Sequence, residues 1–244
     1  ERAIRGMRIY LRTPRLRGLL ALNLAAAAAG SMVFVNTVVI VRVNLAQPES
    51  AVALALACFG GGSMAAAFTL PWLLDRRSDR QVMTSGSLMA VLVLVAVALA
   101  WPALATGPRW PLVLGAWTLL GIAYASIVTP GGRLLRRSAD AAHRPALFAA
   151  QFSLSHACWL LTYPLVGWLG ATAGVPSALW AMAALAALGA GLALRLWPAA
   201  DPLELEHAHD NLPPGHPHLT EHYFDGRHRH EYLIDELHQD WPER

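Results

Sequence analysis

The sequence predicts an all-α membrane protein, in which a bundle of six transmembrane helices precedes a mostly disordered cytoplasmic tail. Hydrophobic residues make up 55% of the 244 positions and charged residues only 14%, against about 25% charged residues in an ordinary soluble domain. The charge is also unevenly divided. Residues 1–200 carry a net +11 and residues 201–244 a net −8, which separates an apolar, basic body from an acidic tail.

Six apolar stretches have the roughly 20 residues that a helix needs to cross a bilayer core of about 30 Å. They lie at 18–41, 51–74, 82–105, 110–132, 146–170 and 175–197. They lack the two-residue alternation of membrane β-barrels and the polar face that helices of a soluble bundle need. We therefore expect a linker at 1–17, a transmembrane domain at 18–198 and a tail at 199–244.

The arginines indicate the orientation. Of the sixteen arginines in the body, fourteen fall on the side of the two termini and two, Arg42 and Arg109, on the other. The positive-inside rule then places both termini in the cytoplasm. Short arginine clusters between apolar runs do not form a phosphate-binding face, so we expect a lipid bilayer and no nucleic acid as partner. Within the second span, Gly60, Gly61 and Gly62 give a small-residue face typical of close helix packing.

Six helices with both ends on one side resemble half of a major facilitator superfamily (MFS) transporter, whose two six-helix halves are parallel repeats. The loop 74–80, Leu-Asp-Arg-Arg-Ser-Asp-Arg, is similar to the superfamily's acidic-then-basic loop after the second helix of each half. The family's glycine pattern around that loop is absent. In the family this loop is associated with the conformational switch, which implies that role for Asp75, Arg76 and Arg80.

The segment 151–160 and the histidine-rich tail together resemble a bacterial subgroup of MFS exporters related to nickel-resistance permeases. The resemblance implies the second half of a transporter in the bacterial cytoplasmic (inner) membrane. The chain begins with Glu1 and not with methionine. We therefore expect it to be a fragment whose partner is a missing N-terminal six-helix half.

His156 is the only ionisable side chain clearly inside a predicted span, and such groups are usually functional because they are costly to bury in lipid. At about 100° per residue, Gln151, Ser155, Cys158 and Thr162 share one stripe of the helix. A second stripe beside it contains Phe152, His156, Trp159 and Tyr163. We predict that a substrate or proton pathway is lined by His156, Gln151, Ser155, Cys158, Tyr163 and Asn36. Alternatively, His156 is a hydrogen-bonded packing residue that fixes a helix pair.

The tail holds eight of the ten histidines, and carboxylates are interleaved with them. These histidines are His207, His209, His216, His218, His222, His228, His230 and His238. Imidazoles with carboxylates suit transient binding of Ni, Co, Zn or Cu, and we expect no other cofactor. The alternative is an acidic, soluble tail with incidental histidines. The segment 232–237 is predicted to form a short helix that docks on the membrane domain.

The expected function is a proton-coupled exporter, with a divalent metal such as nickel or cobalt as substrate. The alternatives are efflux of an organic small molecule or drug with a regulatory tail, and a non-transporting membrane scaffold or metal sensor. We expect no enzymatic activity. The sequence contains no Gly-x-Ser-x-Gly, no His-Glu-x-x-His and no paired acids within a span.

Overall fold

The computed structural model describes residues 2–202, 204–207, 218, 223–224 and 227–242. The helices are numbered in chain order, and a π-helix at Val39–Asn44 extends α2 at its C-terminal end. Their bounds are α1 Arg2–Arg12, α2 Pro14–Val38, α3 Glu49–Leu74, α4 Asp79–Ala103, α5 Thr106–Val128, α6 Gly131–Arg136, α7 Arg144–Thr172 and α8 Gly174–Leu196.

The predicted six-helix membrane bundle is confirmed by α2, α3, α4, α5, α7 and α8. Five of these helices are long and apolar enough to cross a membrane, α2 counted with its π-helical end and α5 with α6. The 29-residue α7 is long enough to cross a membrane, but its mean hydropathy is too low for it to be counted with these five. Short links make neighbouring helices antiparallel, so both ends of the bundle lie on one side. We call this side the terminal face, formed by 2–17, 75–78, 129–143 and 197–202.

The helix α2 is the centre of the bundle. In its most apolar window 72% of the residues are buried, against 28% in α3, and it packs against α4, α5, α7 and α8. Small residues allow these close contacts. An added Cβ at Gly189 of α8 would lie 2.5 Å from the Ala21 carbonyl oxygen. The cavity described below therefore opens beside a rigidly packed helix.

At the terminal face, α1 lies against the start of α7. Ile9 and Tyr10 of α1 are buried in a core that also contains Leu147 of α7. Two tail residues, Tyr232 and Ile234, belong to the same core. The tail therefore docks on the membrane domain, in the region where the sequence indicates a docking segment.

The described part of the tail forms a small antiparallel sheet, which was not expected from the sequence. Its strands are β1 Glu204–Glu206, β2 Tyr223–Phe224 and β3 Arg227–Glu231, in the order β1-β3-β2. Imidazole and tyrosine rings packed edge to face take the place of the aliphatic core that the tail lacks. The predicted helix at 232–237 is wrong. Asp235 Oδ1 accepts the backbone N–H groups of Leu237 and His238, a local bonding pattern that competes with helix formation.

Candidate transport cavity and metal centre

A cavity of about 470 Å³ opens between α2, α5 and α7. Four of the six predicted pathway residues, Gln151, Ser155, His156 and Tyr163, line it. The other lining residues are Asn23, Ala26, Phe34, Tyr124, Val128 and Trp159. One wall is thus the polar and aromatic side of α7, and the opposite wall comes from α2 and α5.

His156 is held in a defined orientation on α7. Its Nδ1 lies 2.8 Å from the carbonyl oxygen of Phe152, one turn earlier, and its ring stacks on the Phe152 ring with centroids 3.9 Å apart. A carbonyl oxygen only accepts, so Nδ1 carries the proton and donates. In the neutral ring this leaves Nε2 with the lone pair, which can take up a proton or bind a metal. His156 thus supplies one basic nitrogen to the cavity wall.

A chain of aromatic rings crosses the cavity region from helix to helix. Phe34 contacts Phe59 and Trp159 with centroids 5.3 and 6.1 Å apart, and Trp159 contacts Tyr124 and Tyr163 at 6.2 and 5.0 Å. Such rings offer broad apolar faces to a ligand. The sequence analysis missed Phe34 and Phe59, because no sequence spacing connects aromatic residues on separate helices.

Trp159 reaches its place because α2 has a glycine opposite it. A Cβ at Gly30 would lie 2.4 Å from the Trp159 ring. The side chain of Trp159 therefore packs directly on the α2 backbone and forms part of the cavity wall.

The structure does not bring Cys158 or Asn36 to the cavity. Cys158 lies in a separate apolar groove with Leu154 and Leu161. Asn36 is buried and its Nδ2 donates to the Val166 carbonyl oxygen at 3.3 Å, which joins α2 to α7. Their role in a transport pathway stays a prediction, and the structure places both residues outside the lining of this cavity. The stripe that contains Cys158 divides: Gln151 and Ser155 line the cavity, whereas Cys158 lies in the apolar groove and Thr162 is buried against α2.

Of the three predicted switch-loop residues, Arg80 is the one for which the structure describes a contact with another helix. Asp75 is exposed. Arg76 lies over the Trp72 ring at 4.1 Å. Arg80 donates from Nε to the Trp197 carbonyl oxygen at 2.8 Å, so it binds the end of α8. The structure therefore links α4 to α8 through Arg80, and it gives Asp75 and Arg76 local positions.

Asp79 is the acidic residue of this loop that connects helices, and the sequence analysis did not single it out. It is 4% exposed and accepts from Arg133 Nη2 at 2.6 Å, with Arg137 Nη1 3.7 Å away. Arg137 also pairs with Asp201, which accepts from Arg15 at 3.2 Å. Two carboxylates thus tie α2, α4, α6 and the start of the tail together at the terminal face. The sequence signal was the scarcity of acids in a strongly basic body.

The tail histidines that the structure describes come together into one group. His207, His218, His228 and His230, the imidazole cluster, each offer a donor atom, and these atoms lie within 4.8 Å of one another. The Nε2 atoms of His218 and His228 are 3.3 Å apart. His238 adjoins the cluster, with its Nε2 3.1 Å from that of His207. Several imidazole nitrogens at such separations can converge on one transition-metal ion.

Hydrogen bonds at Nδ1 orient several of these rings. His207 Nδ1 lies 3.1 Å from the Leu205 carbonyl oxygen, and His238 Nδ1 lies 2.9 Å from Asp235 Oδ1. With Nδ1 oriented in this way, Nε2 is the atom that would bind a metal, as is common for histidine ligands. Burial would raise the pKa of Asp235, but hydrogen bonds from His238 and Leu237 outweigh it and hold this pKa at about 2. The predicted ligands His209, His216 and His222 lie outside the described residues.

A membrane bundle of antiparallel helices around a polar and aromatic cavity is the architecture of multi-pass membrane transport proteins. The family model of the Major Facilitator Superfamily matches residues 19–224. The chain therefore belongs to that superfamily and to its class of membrane transporters, which work in a lipid bilayer on small-molecule substrates. No match was found among curated proteins or among solved structures.

Proposed function

We propose that this chain is the C-terminal half of a proton-coupled exporter for a divalent transition metal such as nickel or cobalt. The observation that carries the proposal is the imidazole cluster, whose donor atoms lie within 4.8 Å of one another on a tail docked at the terminal face. Borderline divalent ions prefer imidazole ligands, whereas Mg²⁺ and Ca²⁺ prefer oxygen. The cluster would collect the ion close to the membrane domain that transports it.

The arginine distribution supports the direction of transport. Fourteen of the sixteen body arginines lie on the side of both termini, which supports a cytoplasmic terminal face in a bacterial inner membrane. A metal-binding tail on that side meets ions that have already entered the cell. Export is the direction that uses such a site.

His156 is the residue proposed to act in the pathway. Its lone-pair nitrogen can take up a proton or bind a borderline metal, so it can carry either the coupling proton or the cargo. No carboxylate is present among the described residues that line the cavity. Any carboxylate needed for proton exchange is therefore assigned to the preceding six-helix half.

A second candidate, efflux of an organic compound, is favoured by the aromatic lining of the cavity. Phe34, Tyr124, Trp159 and Tyr163 present wide apolar faces, and a volume of about 470 Å³ falls within the range of small-molecule sites, about 300–1,000 Å³. In this case the tail would regulate transport without handling the cargo.

The test measures export by the full-length protein in bacteria that lack their own metal efflux. Cells are loaded with Ni²⁺ or Co²⁺, and separately with a fluorescent organic cation. The variants are His156→Gln and a deletion of 203–244. The matched control is Ser153→Ala, since Ser153 is exposed on another side of α7 and its hydroxyl donates to the Ala149 carbonyl oxygen.

We expect the wild type to lower cellular Ni²⁺ or Co²⁺, His156→Gln to lose this effect, and Ser153→Ala to keep it. The tail deletion should raise the metal concentration needed for the same export. Metal export that is absent in the wild type, together with export of the organic cation, would replace the metal proposal by the organic one.

A further inference from the structure

The docking segment, residues 232–241, is bound to α1 by apolar contacts. Ile234 is 3% exposed and Tyr232 5% exposed. Both belong to the core that includes Ile9 and Tyr10 of α1. The segment therefore shares a buried apolar core with α1.

Two ion pairs reinforce this contact. Arg5 of α1 pairs with Glu236 at 3.3 Å, and Arg12 pairs with Asp240 at 3.1 Å. All four side chains are more than a third exposed, and exposed ion pairs add little to stability. The ion pairs therefore add little to the attachment that the buried Tyr232 and Ile234 provide, and a ligand that binds only the docked form would stabilise it further.

The same segment contacts the imidazole cluster through His238. Its Nε2 is 3.1 Å from His207 Nε2, while its Nδ1 is fixed by Asp235 Oδ1 at 2.9 Å. The Tyr232 ring packs on the rings of both histidines, with centroids 4.8 and 4.7 Å apart. His238 is thus placed to join a metal at the cluster while its own segment lies on α1.

We propose that metal binding at the imidazole cluster recruits His238 as a further ligand and thereby locks the docking segment onto α1. The inference rests on the proposed function in one respect, that the cluster binds a transition metal. Only Thr13 separates α1 from α2, and α2 contributes Asn23 and Phe34 to the cavity wall. Occupancy of the tail would thus control the mobility of the corner where the chain enters its central helix.

Hydrogen–deuterium exchange of the full chain in detergent, with and without NiCl₂, tests this coupling. A ligand bound only to the docked form lowers the equilibrium population of the undocked form by the factor 1 + [L]/Kd and slows exchange accordingly. This factor is about a hundredfold at a free Ni²⁺ concentration of 100 Kd. We expect slowing up to that limit in 232–241 and a smaller slowing in 2–12. Both effects should reverse on addition of EDTA.

Three variants separate metal binding from docking. His238→Ala should bind one Ni²⁺ by calorimetry but lose the Ni²⁺-dependent protection of 2–12. Glu236→Lys combined with Asp240→Lys should behave in the same way, because each ion pair then becomes a pair of like charges that repel. The control Glu204→Gln removes an ion pair with Arg229 inside the tail sheet and should keep the wild-type response.

The outcomes distinguish the two proposals. Ni²⁺ binding by the wild type with unchanged exchange in 2–12 overturns the coupling and leaves the proposed metal site standing. Protection of 2–12 that persists in His238→Ala overturns the role of His238. Absence of Ni²⁺ binding in the wild type overturns the tail metal site itself, and the coupling with it.

Discussion

Replacing Gly62 by alanine tests the close approach of α3 to α5. A Cβ at Gly62 would lie 2.1 Å from the Thr118 carbonyl oxygen and 2.9 Å from its carbonyl carbon. At the preceding residue, Gly61, a Cβ would meet no described atom within 4 Å. The two substitutions add the same methyl group to neighbouring positions of one helix, so Gly61→Ala is the matched control.

The magnitude follows from the contact distance. Carbon and oxygen atoms approach to about 3.3 Å even in favourable C–H···O contacts, so the two backbones would have to separate by about 1 Å. Overpacking of this kind costs about 1–3 kcal/mol, while alanine is favoured over glycine within a helix by about 0.5–1 kcal/mol. That gain is common to both variants. Gly62→Ala should therefore be about 1–3 kcal/mol less stable than Gly61→Ala.

The assay is thermal unfolding of both purified variants in the same detergent, followed by tryptophan fluorescence. For a chain of this size, 1 kcal/mol corresponds to about 2–4 °C in Tm, so we expect Gly62→Ala to melt about 2–12 °C below Gly61→Ala. Equal melting temperatures, or a more stable Gly62→Ala, would show that α3 and α5 are not in backbone contact here.

Three further predictions concern a buried hydrogen bond, the terminal face and the tail. Thr37→Val removes the acceptor of the Trp117 indole N–H, a 2.7 Å bond between buried side chains; it should lower the free energy of unfolding by about 1–3 kcal/mol in thermal melts. Asp79→Asn leaves Arg133 without its buried carboxylate and should lower stability by about 1–3 kcal/mol together with the transport rate. Deletion of 203–244 should abolish Ni²⁺ binding in calorimetry.

Each of these predictions has its own control and its own contrary result. The control for Thr37→Val is Thr69→Val, which removes a hydroxyl that donates to carbonyl groups of its own helix and should alter stability by less than about 0.5 kcal/mol. A loss of stability in Thr37→Val as small as that in Thr69→Val would contradict the first prediction. A wild-type transport rate in Asp79→Asn would contradict the second. Undiminished Ni²⁺ affinity after the deletion would place the metal site in the bundle and not in the tail.

The membrane bundle could be predicted from the sequence because the length of an apolar run is a property of the chain alone. The predicted span 51–74 corresponds to the observed helix Glu49–Leu74, and the predicted span 175–197 to Gly174–Leu196. The length of an apolar run does not predict which side of a helix packs against which neighbouring helix. Three consecutive glycines indicate close packing, but only the rotation of α3 in the bundle decides that Gly62 is the one in contact.

The candidate site divides along the same line. Helical periodicity found the cavity residues His156 and Tyr163 on α7, since they share one side of a single helix. It assigned Cys158 to the pathway because Cys158 shares a stripe with Gln151 and Ser155, and the sequence cannot show where the cavity ends and the apolar groove begins. For the tail, the sequence indicated docking by 232–237 but predicted a helix there. The backbone instead follows the side chain of Asp235, which accepts the N–H groups of Leu237 and His238.

The low hydropathy of α7 has a consequence for how the protein enters the membrane. Its polar residues make it the one long helix of the described bundle outside the five that are apolar enough to cross alone. A single residue, Ala173, joins it to the apolar α8, and Gly174 with φ of 82° makes the sharp reversal, a conformation that glycine adopts without strain. We therefore expect α7 and α8 to insert as one helical hairpin. The polar side chains that line the cavity would thus make α7 dependent on its neighbour during membrane insertion.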